Sequence, residues 1–136
     1  MDKKYEILEH KADLKIKAFG KTKEELFKNM LLGMTENQKP EIKSKEKTKR
    51  EIKIKSLDLS ALLVDFLNEV LYLSQVNKEA YLDFKFKKFK DDELEGELIG
   101  QKVDKFKEDI KAATFHNLEV KQTKNKNWKG VVLFDI

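Results

Sequence analysis

Apolar and polar residues alternate along several stretches of the chain and recur at helical spacing along two others. Residues Tyr5 to Leu8 suit a short first strand. From Asp13 to Phe19 the alternation is strict, with Leu14, Ile16 and Ala18 set against Lys15, Lys17 and Phe19. A period of two with lysines on one side describes a half-buried strand, and Gly20 ends it. Thr22 followed by Glu25 has the spacing of a capping box. Behind it Leu26, Phe27, Met30, Leu31 and Met34 fall on one helical face, which predicts a helix to about Thr35. Residues 36–47, which hold the single proline Pro40, read as a polar loop, and Glu51 to Lys55 alternates again as a strand with one exposed face.

Asp58 or Ser60 is placed to cap the longest helix, where Leu62, Leu63, Phe66, Leu67, Val70 and Leu71 make a wide apolar face. Asp65, Asn68 and Glu69 lie on its other side. Tyr81 to Phe89 and Glu93 to Gln101 alternate on either side of Asp91-Asp92 and form a predicted hairpin. Lys102 to Asp109 has no clean period and suits a short helix or an irregular crossing. Ile110 to Val120 is strand-like and carries Lys111 and His116; after a turn at Asn125 to Asn127, Trp128 to Phe134 is the closing strand. Strands and helices that do not alternate as βαβ units indicate an α+β fold. The expected architecture is a two-layer domain with a mixed or antiparallel sheet packed on two amphipathic helices.

At 136 residues the chain suits one domain spanning 1–136. Nine Phe and 40% hydrophobic residues give it enough apolar area to fold despite being 40% charged. The absence of cysteine excludes disulfides, thiolate metal sites and thiol nucleophiles. No apolar run approaches the ~18 residues of a membrane span, and no signal-peptide pattern opens the chain, so a cytoplasmic protein without a membrane partner is expected. The net charge is 29 − 25 = +4, and Arg50 is the one arginine. Lysine lacks the guanidinium fork, so recognition by arginine clusters is excluded. An AT-rich coding bias or a hot habitat accounts for such a lysine excess without any ligand. Lys39 to Lys55 nevertheless concentrates eight basic residues against three glutamates. That stripe reads as a solvated strand face, or as a contact for an RNA or DNA backbone.

Phosphate loops, dinucleotide fingerprints, paired metal-protease histidines and nucleophile elbows are all missing. A cation site is what the residues still offer. Asp13, Asp135 and the carboxylate of Ile136 would supply hard oxygens suited to calcium, magnesium or manganese, with His10 as a further ligand or an orienting group. By spacing alone Asp13 equally well starts a strand and Asp135 equally well lies exposed. His116, alone on an apolar stretch, reads as a packed core histidine, and Lys111 alone says nothing.

Four stretches in order resemble the archease family. They are Tyr5-Glu6-Ile7-Leu8-Glu9-His10-Lys11-Ala12-Asp13, the helix from Leu62 to Leu73, Lys111-Ala112-Ala113-Thr114-Phe115-His116-Asn117-Leu118-Glu119-Val120, and Val131-Val132-Leu133-Phe134-Asp135-Ile136. The resemblance implies an α+β fold with a strand-helix-strand-strand module and a non-enzymatic partner of the tRNA-splicing RNA ligase. Archeases speed attachment of GMP to that ligase and support its multiple turnover. The resemblance assigns metal binding to Asp13, Asp135 and Ile136, with calcium the first expectation, and makes His10, Lys111 and His116 candidates for the activating surface. Lys11 stands where the family usually has Thr, and Phe115 where Tyr is commoner. A tRNA-binding accessory, or a chaperone-like modulator of a tRNA-modifying enzyme, is the alternative reading.

Overall fold

The computed structural model describes residues 3–8 and 13–136, and in it the alternating segments become antiparallel strands. The elements in order are β1 (Tyr5–Leu8), β2 (Asp13–Gly20), α1 (Lys23–Asn37), β3 (Pro40–Lys55), α2 (Leu59–Asn77), β4 (Glu79–Lys90), β5 (Glu93–Phe106), β6 (Ala112–Gln122) and β7 (Trp128–Asp135). The α+β class holds, and the strands divide between two sheets, ordered β1-β2-β7-β6 and β3-β5-β4. The consecutive run β3-α2-β4-β5 is the strand-helix-strand-strand module, and its strands make up the whole second sheet.

Both helices start where their caps require. The Thr22 hydroxyl accepts the Glu25 amide at 3.0 Å, and the Glu25 carboxylate accepts the Lys21 amide at 3.0 Å. Asp58, rather than Ser60, caps α2 by accepting the Ala61 amide at 2.9 Å. Each helix contacts strands of both sheets, α1 against β2 and β4 and α2 against β6 and β4. The result is one core in which Ile16, Phe27, Met30, Leu63, Phe66, Phe84, Leu98 and Phe134 are essentially inaccessible. A T-shaped contact joins Phe66 to Phe84 at 5.1 Å between centroids, which ties α2 to β4. By length and composition α2 would cross a bilayer, contrary to the sequence reading, but its apolar face is occupied by this core.

Three segments differ from expectation. The stretch read as a loop around Pro40 is the first half of β3, a 16-residue edge strand. Pro40 is its first residue, where a missing amide does least harm. Lys102 to Phe106, read as a helix or crossing, continues β5, with Val103 buried. His116 is exposed rather than packed. It lies where β6 leaves its register: Thr114 pairs with Leu133 and Glu119 with Val131, so four β6 residues face one on β7. Asn117 within this excursion has φ 54°, a left-handed conformation that Asn tolerates well.

Candidate functional site

The antiparallel register of β2 with β7 places Asp13 directly opposite Asp135. Directly paired residues on antiparallel strands hold their Cβ atoms about 5 Å apart, and like charges there repel. On the other side of β7, Asp135 is level with Ala112, and its carbonyl accepts the Lys111 amide at 2.8 Å. Lys111, Asp135 and Ile136 are exposed at this end of the sheet, Ile136 by 49%. Asp13, Asp135, Ile136 and Lys111 are thus gathered at one tip. His116 departs from β6 at the level of Val132, three residues from Asp135 along β7, or about 10 Å by strand rise. His10, with Glu9, Lys11 and Ala12, lies outside the described residues.

The donor set at the tip consists of hard oxygens. Among the described residues no group of three or more His, Cys, Asp or Glu side chains is placed to hold a metal. Two side-chain carboxylates brought together in this way suit a divalent cation of the calcium or magnesium type. Calcium takes 6–8 oxygens, so such a site is open and leaves coordination positions for water or for oxygens of another molecule.

Two contacts brace this tip, and the sequence reading missed both. Asn68 of α2 grips Ala113 on the free edge of β6: its Nδ2 donates to the Ala113 carbonyl at 3.0 Å and its Oδ1 accepts the Ala113 amide at 2.8 Å. The carboxamide thereby takes the place of a neighbouring strand. The Thr114 hydroxyl donates to the Leu133 carbonyl at 2.9 Å. The available signal was a polar Asn in the middle of a Leu-rich helix. Next to Asn68, a cleft between α2 and β3 is lined by Asp65, Glu69, Lys53 and Lys55. Ser56 donates to Asp65 across its rim at 2.6 Å.

A second polar cluster lies inside the other sheet. Glu79 has no accessible surface; it receives a bidentate pair of hydrogen bonds from Arg50, both at 2.9 Å, and one from the Tyr81 hydroxyl at 2.5 Å. Lys102 Nζ is 3.2 Å away. Burial works against the charged form, but the hydrogen bonds from Arg50, Tyr81 and Lys102 outweigh it and hold the Glu79 carboxyl at about 2. Burial, then the bond to Glu79, pushes the Tyr81 hydroxyl up to about 12. The one arginine of the chain is thus spent on a carboxylate within the protein.

Comparison with known proteins covers nearly the whole chain. The Archease protein family matches residues 5–136. The protein archease of Methanosarcina barkeri is 39% identical over 98% of this chain and 97% of its own length. That of Pyrococcus furiosus is 32% identical over 98% and 99%. Among solved structures, the solution structure of Methanobacterium thermoautotrophicum protein 1598 superposes with a TM-score of 0.68, at 28% identity over 97% of this chain and 98% of that one. The Thermotoga maritima crystal structure, described as an archease and possible chaperone, gives a TM-score of 0.69 at 22% identity over 95% and 94%, and shares the fold.

Proposed function

The chain belongs to the archease family, and from that premise we propose that it is a non-enzymatic activator of the tRNA-splicing RNA ligase, acting in the cytoplasm through the Asp13–Asp135 tip. The observation that carries this reading is the register of β2 with β7, which sets two carboxylates face to face at an exposed end. Asp13, Asp135 and Ile136 hold the cation, calcium first and magnesium or manganese as substitutes. A divalent cation there supplies positive charge for the phosphate oxygens of a nucleotide during guanylylation.

The protein's own residues then have separate tasks. Asp13 and Asp135 present oxygens on one face of the sheet end. The Lys111 amide fixes the Asp135 carbonyl, and Lys111 itself is exposed and brings a positive charge to this end of the sheet. Asn68 holds β6 in place behind them. Because three residues do not complete a calcium sphere, the ligase and its nucleotide finish the site, which suits an activator better than a self-contained metal store.

The test is a guanylylation time course of the ligase from the same organism, without the protein, with it, and with Asp135→Ala or Asp13→Ala. Wild type is expected to accelerate guanylylation, and both variants are expected to fold normally and fail to do so. Terbium luminescence reads cation binding in parallel and is expected to fall with either substitution. Normal activation by Asp13→Ala sinks the tip mechanism. A chaperone-like role would instead show as suppressed aggregation of unrelated clients. The exposed large apolar side chains among the described residues are distributed over β1 (Ile7), β3 (Ile42), the loop before α2 (Leu57), α2 (Tyr72, Val76), β4 (Leu82), β6 (Phe115) and Ile136, and contiguous patches are what such a role requires.

A further inference from the structure

The lysines of the β3-β5-β4 sheet fall into two groups. Along most of its outer face they are matched to acids. Glu93, Glu95 and Glu97 of β5 stand opposite Lys55, Lys53 and Glu51 of β3, and opposite Lys90, Lys88 and Lys85 of β4. Lys88 lies 2.9 Å from Glu93, and Lys87 lies 2.6 Å from Glu51. Lys53, Lys87 and Lys88 make ion pairs in this part, and the one like-charge pair, Glu51 opposite Glu97, has Lys87 on Glu51 and Lys85 opposite Glu97.

The first half of β3 is different. Ile42 pairs with Val103 and Lys47 with Gln101, so Lys43, Ser44, Lys45 and Glu46 face a single β5 residue and bow out from the edge. The excursion has a defined shape, because Gln101 Nε2 donates to the Lys45 carbonyl at 3.1 Å and the Glu46 amide donates to the Ser44 hydroxyl at 3.1 Å. Lys43, Lys45, Lys47 and Lys49 are all exposed, and none makes an ion pair among the described residues. Lys47 and Lys49 stand opposite Gln101 and Ile99, which carry no charge. Glu46 is the one acid between them.

Lysines kept for thermal ion-pair networks would be paired here as Lys53, Lys87 and Lys88 are. Edge protection needs a charge on the strand, but it does not need four unmatched cations of one sign. No aromatic accompanies the four, and the adjacent Arg50 is held by Glu79, so nothing here stacks bases or reads them with a guanidinium fork. Point charges on a protruding edge fit phosphodiesters. We infer that the Lys43–Lys49 excursion of β3 is a contact for the phosphate backbone of RNA, sequence-indifferent and sensitive to salt. The choice of RNA as the polyanion rests on the ligase-activator reading. Lys47 is about 20 Å by strand rise from Lys53 and the cleft beside the tip, so the surface leaves the carboxylates free for the ligase.

The test is fluorescence anisotropy with a labelled oligouridylate, titrated at salt from about 50 to 200 mM, the range over which phosphate contacts lose most of their affinity. Four contacts to a single strand predict a slope of log K against log salt near −3. The variant K43Q/K45Q/K47Q/K49Q is expected to lose that slope and most of the binding. The variant K23Q/K87Q/K88Q/K121Q removes the same charge from lysines that are ion-paired and is expected to keep both. Equal losses in the two variants, or no binding by wild type at the lowest salt, overturn the inference. Guanylylation uses no RNA, so the first variant should still activate it; wild type that activates guanylylation but binds no RNA refutes this contact alone. Excursion-dependent RNA binding without any effect on the ligase refutes the activator reading and leaves the contact standing.

Discussion

Glu79 gives the sharpest prediction about stability. Its carboxyl moves from 4.5 in the ordinary state to about 2 in the fold, held there by Arg50, Tyr81 and Lys102 against the cost of burial. A depressed carboxylate contributes stability above its unfolded value and loses it as pH falls through the folded one, here between about 4.5 and about 2. In that window the unfolded chain binds one proton more than the native chain at this residue, so stability falls by up to about 1.4 kcal/mol per pH unit. The full shift amounts to about 3 kcal/mol. Arg50 and Lys102 are 39% and 47% exposed, and water screens their share, so about 2 kcal/mol is the better expectation. Urea unfolding of wild type and Glu79→Gln across this range isolates the term, because every other carboxylate contributes equally to both profiles. The wild-type curve should drop toward the variant's as pH falls. If the two profiles run parallel from 4.5 to 2, Glu79 is not an ionised, paired carboxylate in the fold.

Asn68→Ala removes both hydrogen bonds to Ala113 and leaves a strand edge unpaired; it should cost about 2 kcal/mol in urea unfolding, and the Ala113 amide should lose its protection in hydrogen exchange. Asn68→Asp keeps the acceptor but sets a negative charge against the Ala113 carbonyl, so it should not rescue. Gly33→Ala places a methyl 2.9 Å from the Tyr5 ring, and should destabilise wild type by about 1 kcal/mol through that overlap. In a Tyr5→Ala background the ring is gone, and the same substitution should stabilise by up to about 1 kcal/mol, since alanine is the better helix former; one sign in both backgrounds would refute the packing account.

The helices, the hairpin at Asp91-Asp92 and the closing strand are legible in the sequence because each buries one face against the core, and burial is what writes a period into the residues. β3 is legible only from Glu51 onward, where Ile52 and Ile54 turn inward. Its first half lies on an edge with little core beneath it, and Lys43-Ser44-Lys45-Glu46 bows out altogether, so no apolar period is demanded of it. His116 misled for the reverse reason. Its apolar neighbours suggest a buried strand, but the excursion from Phe115 to Leu118 turns it outward, and Phe115 with it, 59% exposed. Asn68 was invisible as a brace because its partner is the backbone of a strand 45 residues away, which no local pattern records.

The placement of Asp13 against Asp135 follows from the core and not from any local motif. The register that pairs them also pairs Leu14 with Phe134, Ile16 with Val132 and Ala18 with Gly130, and Ile16, Ala18, Val132 and Phe134 are buried against the helices. A slip of one residue would turn Lys15 and Lys17 toward the core and Ile16 out of it, since successive side chains of a strand face opposite ways. The burial of several side chains, each contributing about 1.5–3 kcal/mol, therefore outweighs the repulsion of two carboxylates at the strand end. Such a pair can persist as a surface for a cation because the residues that hold it together are not the residues that would bind. Substitutions at the tip should accordingly leave the fold intact, whereas a polar substitution at Ile16 should unfold the sheet and remove the tip with it.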